Sequence, residues 1–280
     1  MREISKDTSL CISLAGRPSN IGTRFHNYLY DELGIDFVYK AFTTHDIAAA
    51  IGGVRALGIR GCSVSMPFKE AVIPLVDHLD ASAAAIDSVN TIVNNAGILT
   101  AYNTDYDAIL TLLTRHHLDP ANPVLVRGSG GMAKAVIAAF RAARFDDVTV
   151  VARNAERGAS LTQAYGYAWV PEDPEPGAAI IVNVTPLGMT GADADTLSFS
   201  TDHIHAANTV MDVVAFPADT PLIRAARTAG RDVITGAEVI ALQAARQFTL
   251  YTGVTPTPQQ ILQASAFSRQ SGVEEVPLAP

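Results

Sequence analysis

Lys69 stands in the stretch Ser63-Val-Ser-Met-Pro-Phe-Lys69, just beyond an apolar, strand-like run and a proline turn. Asp105 closes Asn103-Thr-Asp105, ahead of a helical pattern over Tyr106–Arg115. A lysine partly desolvated beside a carboxylate can exchange a proton near neutral pH, which is general acid–base chemistry. Each residue also has a plainer reading. Lys69 can be an ordinary lysine at a helix start, and Asp105 can simply cap the helix that follows it. Spacing alone leaves both readings open.

A second kind of chemistry is written in Gly128-Ser129-Gly130-Gly131-Met132-Ala133, a G-x-G-x-x-A run between an apolar strand and an alanine-rich helix. This is the context that a dinucleotide fingerprint requires. Gly128 permits the tight turn, Gly130 lets a pyrophosphate approach the backbone, and Ala133 allows close helix–sheet packing. The helix start adds unsatisfied N–H groups for the phosphates. At the end of the next strand, where an NAD site usually carries Asp or Glu, the chain has Ala152 and Arg153, with Arg157 one turn on. Two cations without a neighbouring carboxylate suit a ribose 2′-phosphate, so the expected cofactor is NADP.

These residues need elements to position them. In the first third, strand-like Leu10–Leu14, Phe37–Phe42 and Arg60–Val64 alternate with helical Thr23–Leu33 and Ile47–Leu57. The first helix is expected to face the core with Phe25, Tyr28, Leu29 and Leu33, and Gly58 to end the second. Asn90–Val93 and Ile98–Tyr102 flank a hairpin turn. From Asp105 a second alternation begins, with strands at Val124–Val126, Val148–Val151, Ala179–Val182, Val210–Val214 and Asp232–Ile234. Met132–Ala143, Ala155–Tyr165 and Pro221–Ala229 read as helices between them. Apolar strands separated by helices imply a parallel, doubly wound sheet. Two closing helices, Glu238–Tyr251 and Pro258–Phe267, have no strand between them and must pack on the first domain.

The fold class is therefore α/β. A discontinuous N-terminal α/β substrate domain, residues 1–105 with 237–270, surrounds a Rossmann-type NADP-binding domain, residues 106–236. The tail, residues 271–280, is expected to fray.

Composition narrows the function classes. The chain has 280 residues, 48% hydrophobic and 17% charged, enough for two globular cores. A net charge of −8 speaks against nucleic-acid and anionic-membrane partners. No membrane-length apolar run and no signal-like N-terminus are present, so a cytoplasmic protein is expected. Cys11 and Cys62 read as small buried hydrophobes, with neither disulfide nor metal site expected. Adjacent His116 and His117 face different directions near a helix end, His203 and His205 sit in a loop-like stretch, and His26 sits on a helix, where it packs or donates one hydrogen bond.

Taken in order, Ser63–Lys69, Val89-Asn-Thr91, Asn103–Asp105, Gly128–Ala133, Asn183-Val-Thr-Pro-Leu-Gly188 and Gly236–Gln243 resemble the motif series of shikimate dehydrogenases, over about residues 8 to 268. The likeness is greatest to the divergent shikimate dehydrogenase-like branch. It implies an NADP-dependent oxidoreductase with its active site in an interdomain cleft and a small cyclic hydroxy acid as partner. It further implies Lys69 and Asp105 as the catalytic pair, with Ser65, Asn90, Asp105 and Gln243 at the substrate hydroxyls. Thr185 and Gly236 would join the glycine run at the cofactor. The assembly would be a monomer or a homodimer.

The chain also departs from that pattern. Gly22 and Arg24 stand where the family places two serines that hold the substrate carboxylate, and Ala215 where it places a tyrosine. An unpaired buried carboxylate is costly, so either Thr23 and Arg24 take over or the substrate differs there. Weak turnover of shikimate is expected. A second reading is an NADP-binding redox sensor with little turnover, although such a protein has no chemical reason to keep Lys69 and Asp105 together.

Overall fold

The computed structural model describes residues 4–270, which form two compact units. The expectation for the tail falls outside the described residues. One unit takes the chain up to His78, then Val89–Ala101 and the residues from Ala244 onward; the other takes Leu79–Ser88 and Tyr102–Gln243.

The chain begins with β1 (Ser9–Ala15), α1 (Ile21–Glu32), β2 (Phe37–Thr43), α2 (Ile47–Ala56) and β3 (Gly61–Val64). There follow β4 (His78–Leu79), α3 (Ala81–Ala84), β5 (Thr91–Asn95), β6 (Ile98–Tyr102) and α4 (Thr104–Arg115). The first sheet has the order β2-β1-β3-β5-β6-β4. Both neighbours of β1 run parallel to it, and β5 runs antiparallel to β3. Between β5 and β6, Ala96 and Gly97 take φ of 52° and 92°, the left-handed pair that a two-residue hairpin turn requires.

The buried stripe of α1 differs from the expected one: it runs through Phe25, His26, Leu29 and Tyr30. Aromatic neighbours decide this. His26 stacks on Tyr39 of β2 at 4.4 Å between ring centroids, and Tyr30 lies 5.2 Å from Phe248. Tyr28 instead turns toward Phe267, 5.2 Å away.

The second sheet comprises β7 (Val124–Arg127), β8 (Val148–Val151), β9 (Ala168–Val170), β10 (Ile180–Asn183), β11 (Thr209–Asp212) and β12 (Asp232–Thr235). Its helices are α5 (Gly131–Ala142), α6 (Ala155–Tyr165), α7 (Thr201–Ala206) and α8 (Pro221–Thr228); α9 (Gly236–Thr252) and α10 (Pro258–Arg269) close the chain. The strand order is β12-β11-β10-β7-β8-β9, with parallel pairing throughout. Val126, Val136, Ile137, Phe140 and Val150 pack on one face, while Leu125, Val151, Ile181, Val210 and Leu222 pack on the other. Burial on both faces is why these strands read as unbroken apolar runs. The order reverses between β7 and β10, the place where such sheets bind ligands outside the strand ends.

His203 and His205 were expected in a loop, and both lie in α7. His203 is buried, its Nδ1 2.8 Å from the Ser200 hydroxyl and its Nε2 3.0 Å from the Pro174 carbonyl. A six-residue helix is too short for periodicity to declare it. Cys11 and Cys62 are buried free thiols, and burial pushes Cys11 up to about 12. Among the described residues no helix is long and apolar enough to cross a membrane, and no group of three metal-ligating side chains occurs.

Candidate active site

The glycine run turns directly out of β7. Gly128 has φ of 119°, and a Cβ there would lie 2.9 Å from side-chain carbons of Val184 and Thr185. Glycine is thus needed for conformation and for space. Gly130 and Gly131 are exposed, with no heavy atom within 4 Å of where a Cβ would stand. Gly130 is the N-cap of α5 and offers no side chain to its first N–H groups. Ser129 and Met132 are half-buried beside this turn, and Ala133 is fully buried beneath it. Room, bare N–H donors and a helix dipole make an anion cradle.

Beyond β8, Asn154 caps α6 by accepting a hydrogen bond from the Arg157 N–H at 2.9 Å. Arg153 and Arg157 are exposed, and neither guanidinium has an ion pair among the described residues. Two uncommitted cations beside a glycine cradle fit an adenosine 2′-phosphate. The donor set therefore matches NADP.

Thr185 follows β10 and is held by a buried network that the sequence did not disclose. Its hydroxyl and N–H donate to Asn183 Oδ1 at 2.6 and 3.1 Å. Asn183 Nδ2 in turn donates to Asp212 Oδ1 at 3.0 Å, and the Thr220 hydroxyl donates to Asp212 Oδ2 at 2.6 Å. Burial pushes the Asp212 carboxyl above the usual range, while Thr220, the Val214 N–H and Asn183 pull it back. The visible signal was polar residues closing two adjacent apolar strands. At Gly236 a Cβ would lie 2.1 Å from the Val214 carbonyl oxygen, so the backbone packing there admits only glycine.

Asp105 lies in the first turn of α4 and is buried. The cap is Asn103, whose side chain accepts from the Tyr106 N–H at 3.0 Å and donates to the Ser88 carbonyl at 2.8 Å. Capping therefore does not account for Asp105.

In the other unit, backbone bonds gather Ser65, Lys69 and Asn90 at one end of the first sheet. The Lys69 carbonyl accepts from the Val89 N–H at 2.8 Å, and the Asn90 carbonyl accepts from the Val64 N–H at 2.8 Å. Ser65 N–H donates to the Leu14 carbonyl at 2.9 Å. Asn90 is buried, Lys69 half-buried and Ser65 exposed. Gln243, which belongs to the same unit as Asp105, is half-buried on α9. Thr23 and Arg24 lie on α1, and Arg24 lends its guanidinium to α10. Its Nη2 donates to the Phe267 carbonyl at 3.0 Å, and its Cζ lies 4.8 Å from the centre of the Phe267 ring.

Comparison with known proteins gives consistent findings. Residues 20–92 match the family model of the shikimate dehydrogenase substrate binding domain. A shikimate dehydrogenase-like protein of Haemophilus influenzae is 54% identical over 95% of this chain and 98% of its own length. A shikimate dehydrogenase (NADP(+)) of Chlorobaculum tepidum is 37% identical over 81% of this chain and 84% of its own. Among solved structures, the Thermus thermophilus shikimate 5-dehydrogenase in complex with NADP(H) and shikimate superposes with a TM-score of 0.84. It is 28% identical and covers 93% of this chain and 99% of its own.

Proposed function

The chain belongs to the shikimate dehydrogenase family, and we propose that it is an NADP-dependent oxidoreductase acting on the alcohol group of a cyclic polyhydroxy acid, shikimate or a close relative. The observation that carries this reading is the glycine cradle at the switch point of the second sheet, with two uncommitted guanidiniums at the neighbouring strand end.

NADP supplies the hydride acceptor. The rest falls to this chain's residues. Lys69 takes the proton of the reacting hydroxyl during oxidation and returns it during reduction. Asp105, buried in the first turn of α4, acts with it and accepts from a substrate hydroxyl. Asn90, Ser65 and Gln243 read the remaining hydroxyls. Arg153 and Arg157 hold the 2′-phosphate, while the N–H groups at the α5 start take the pyrophosphate. Thr185, fixed through Asn183, borders the glycine turn.

The carboxylate end of the substrate is where this chain differs from the family pattern. Gly22 and Ala215 offer no hydroxyl, and Arg24 already donates to Phe267. This favours a substrate that keeps the vicinal hydroxyls and changes around the carboxylate. Steady-state kinetics with NADP over a panel of cyclic hydroxy acids test both points. Lys69→Ala is expected to lower kcat about 10²–10⁴-fold with NADP affinity intact. Near-native kcat would remove Lys69 from the chemistry. For shikimate itself, kcat/KM below about 10⁵ M⁻¹s⁻¹ is expected; a higher value would refute the altered carboxylate pocket.

A further inference from the structure

We propose that Gln247 is a positioning residue which, through Thr91, fixes the end of the Asn90 carboxamide that meets the substrate. The proposal rests on the reading of Asn90 as a substrate-binding residue and deepens it. Gln247 lies one helical turn beyond Gln243 on α9, so both point from the same side of the helix. It is only 3% exposed, and its Nε2 lies 2.8 Å from the Thr91 hydroxyl and 3.3 Å from the Asn90 backbone carbonyl. Thr91, itself buried, has its hydroxyl 2.8 Å from Asn90 Oδ1.

The direction of this chain follows from which groups can donate. A backbone carbonyl only accepts, so the end of Gln247 facing Asn90 must be its amino group. The Thr91 hydroxyl faces that same amino group and must accept from it. Its single proton is then committed to Asn90 Oδ1. The Asn90 carbonyl oxygen is held toward Thr91, and its amino group is the end turned the other way. Backbone bonds on both sides of Asn90 keep the side chain from escaping by a shift of its strand. Asn90 therefore offers a donor, and the substrate group it meets must present a lone pair. Without the relay, the carboxamide can rotate by half a turn and offer its oxygen instead.

Thr91→Val and Gln247→Leu preserve volume and remove one link each. Each is expected to raise the KM of the best hydroxy-acid substrate about three- to tenfold, the loss of one buried hydrogen bond. The KM for NADP should not move, and it serves as the check on folding. Because both residues act through one chain, the double variant should be no worse than either single one. Thr91→Ser restores the hydroxyl and should restore the KM. A native substrate KM in Thr91→Val, or no rescue by Thr91→Ser, overturns the proposal. A readout without turnover separates this from the functional reading. The Asn90 side-chain amide pair, assigned in NMR spectra by its loss in Asn90→Asp, should shift in both single variants. An unmoved pair overturns the relay whatever the activity. Absence of turnover on every hydroxy acid, with the pair shifted, overturns the functional reading alone.

Discussion

Replacing Arg153 and Arg157 together by alanine is expected to lower the preference for NADP over NAD at least about tenfold, because each charge-assisted contact contributes about 1.5–3 kcal/mol. Titration of both cofactors against the intact and double-variant proteins measures it. A parallel loss of NAD affinity would show that the two arginines act on something other than the 2′-phosphate. What was legible in the sequence is their placement, a glycine run turning out of β7 and two exposed arginines after β8, because a strand followed by G-x-G spacing marks its own turn. The steric constraint on Gly236 was not legible. What excludes a side chain there is the Val214 backbone, a neighbour supplied only by the folded sheet. The same holds for Asp212, whose partners Asn183 and Thr220 come from separate strand and helix ends. Asn103 could be read as part of a motif, yet its capping role emerged only with the helix boundary.

At the scale of elements, α1 carries the clearest pH consequence. His26 is fully buried among Phe25, Tyr30, Tyr39, Phe248 and Tyr251, and burial holds its imidazole down to about 3, with Gln247 partly offsetting this. The phenols facing it are neutral throughout the acidic range. In the unfolded chain the same imidazole takes a proton below its ordinary value of 6.5. The unfolded state thus binds more protons as pH falls from about 6.5 to 3, and stability drops over that window. One such group contributes about 1.4 kcal/mol per pH unit. His26→Phe keeps the stack on Tyr39 and should remove this slope. Urea unfolding of both proteins across pH 4 to 7 gives the difference; parallel curves would mean that His26 protonates in the folded state. The strands and longer helices were legible because their apolar runs have length and period. β9 and α7 were not, since three and six residues hold too little of either. The face of α1 was misjudged for another reason: a histidine and a tyrosine became core only because an aromatic cluster awaited them.

For the molecule as a whole, NADP at about one hundred times its Kd should stabilise the unit that binds it by about 2.7 kcal/mol. In hydrogen exchange that is about a hundredfold slowing of the best-protected amides in β7, β8 and β10. Unchanged exchange there under saturating NADP would place the cofactor elsewhere. That a nucleotide-type body is inserted into another α/β body was legible from two features. The strand–helix alternation restarts after Asp105, and the last two helices have no strand of their own.

The route by which Tyr251 reaches Gly61 sets a timetable for the newborn chain. A Cβ on Gly61 would lie 2.3 Å from the Tyr251 ring, and Arg60 Nε donates to the Tyr251 carbonyl at 2.9 Å. The strand that carries Gly61 is therefore finished early in synthesis and waits, uncovered, for a helix made near the end. The inserted body needs nothing later than Gln243 and is complete first. The older segment of chain is thus covered last: β3 waits for α9 and α1 waits for α10, so during synthesis it is these, not the nucleotide-binding sheet, that stay open longest to a chaperone.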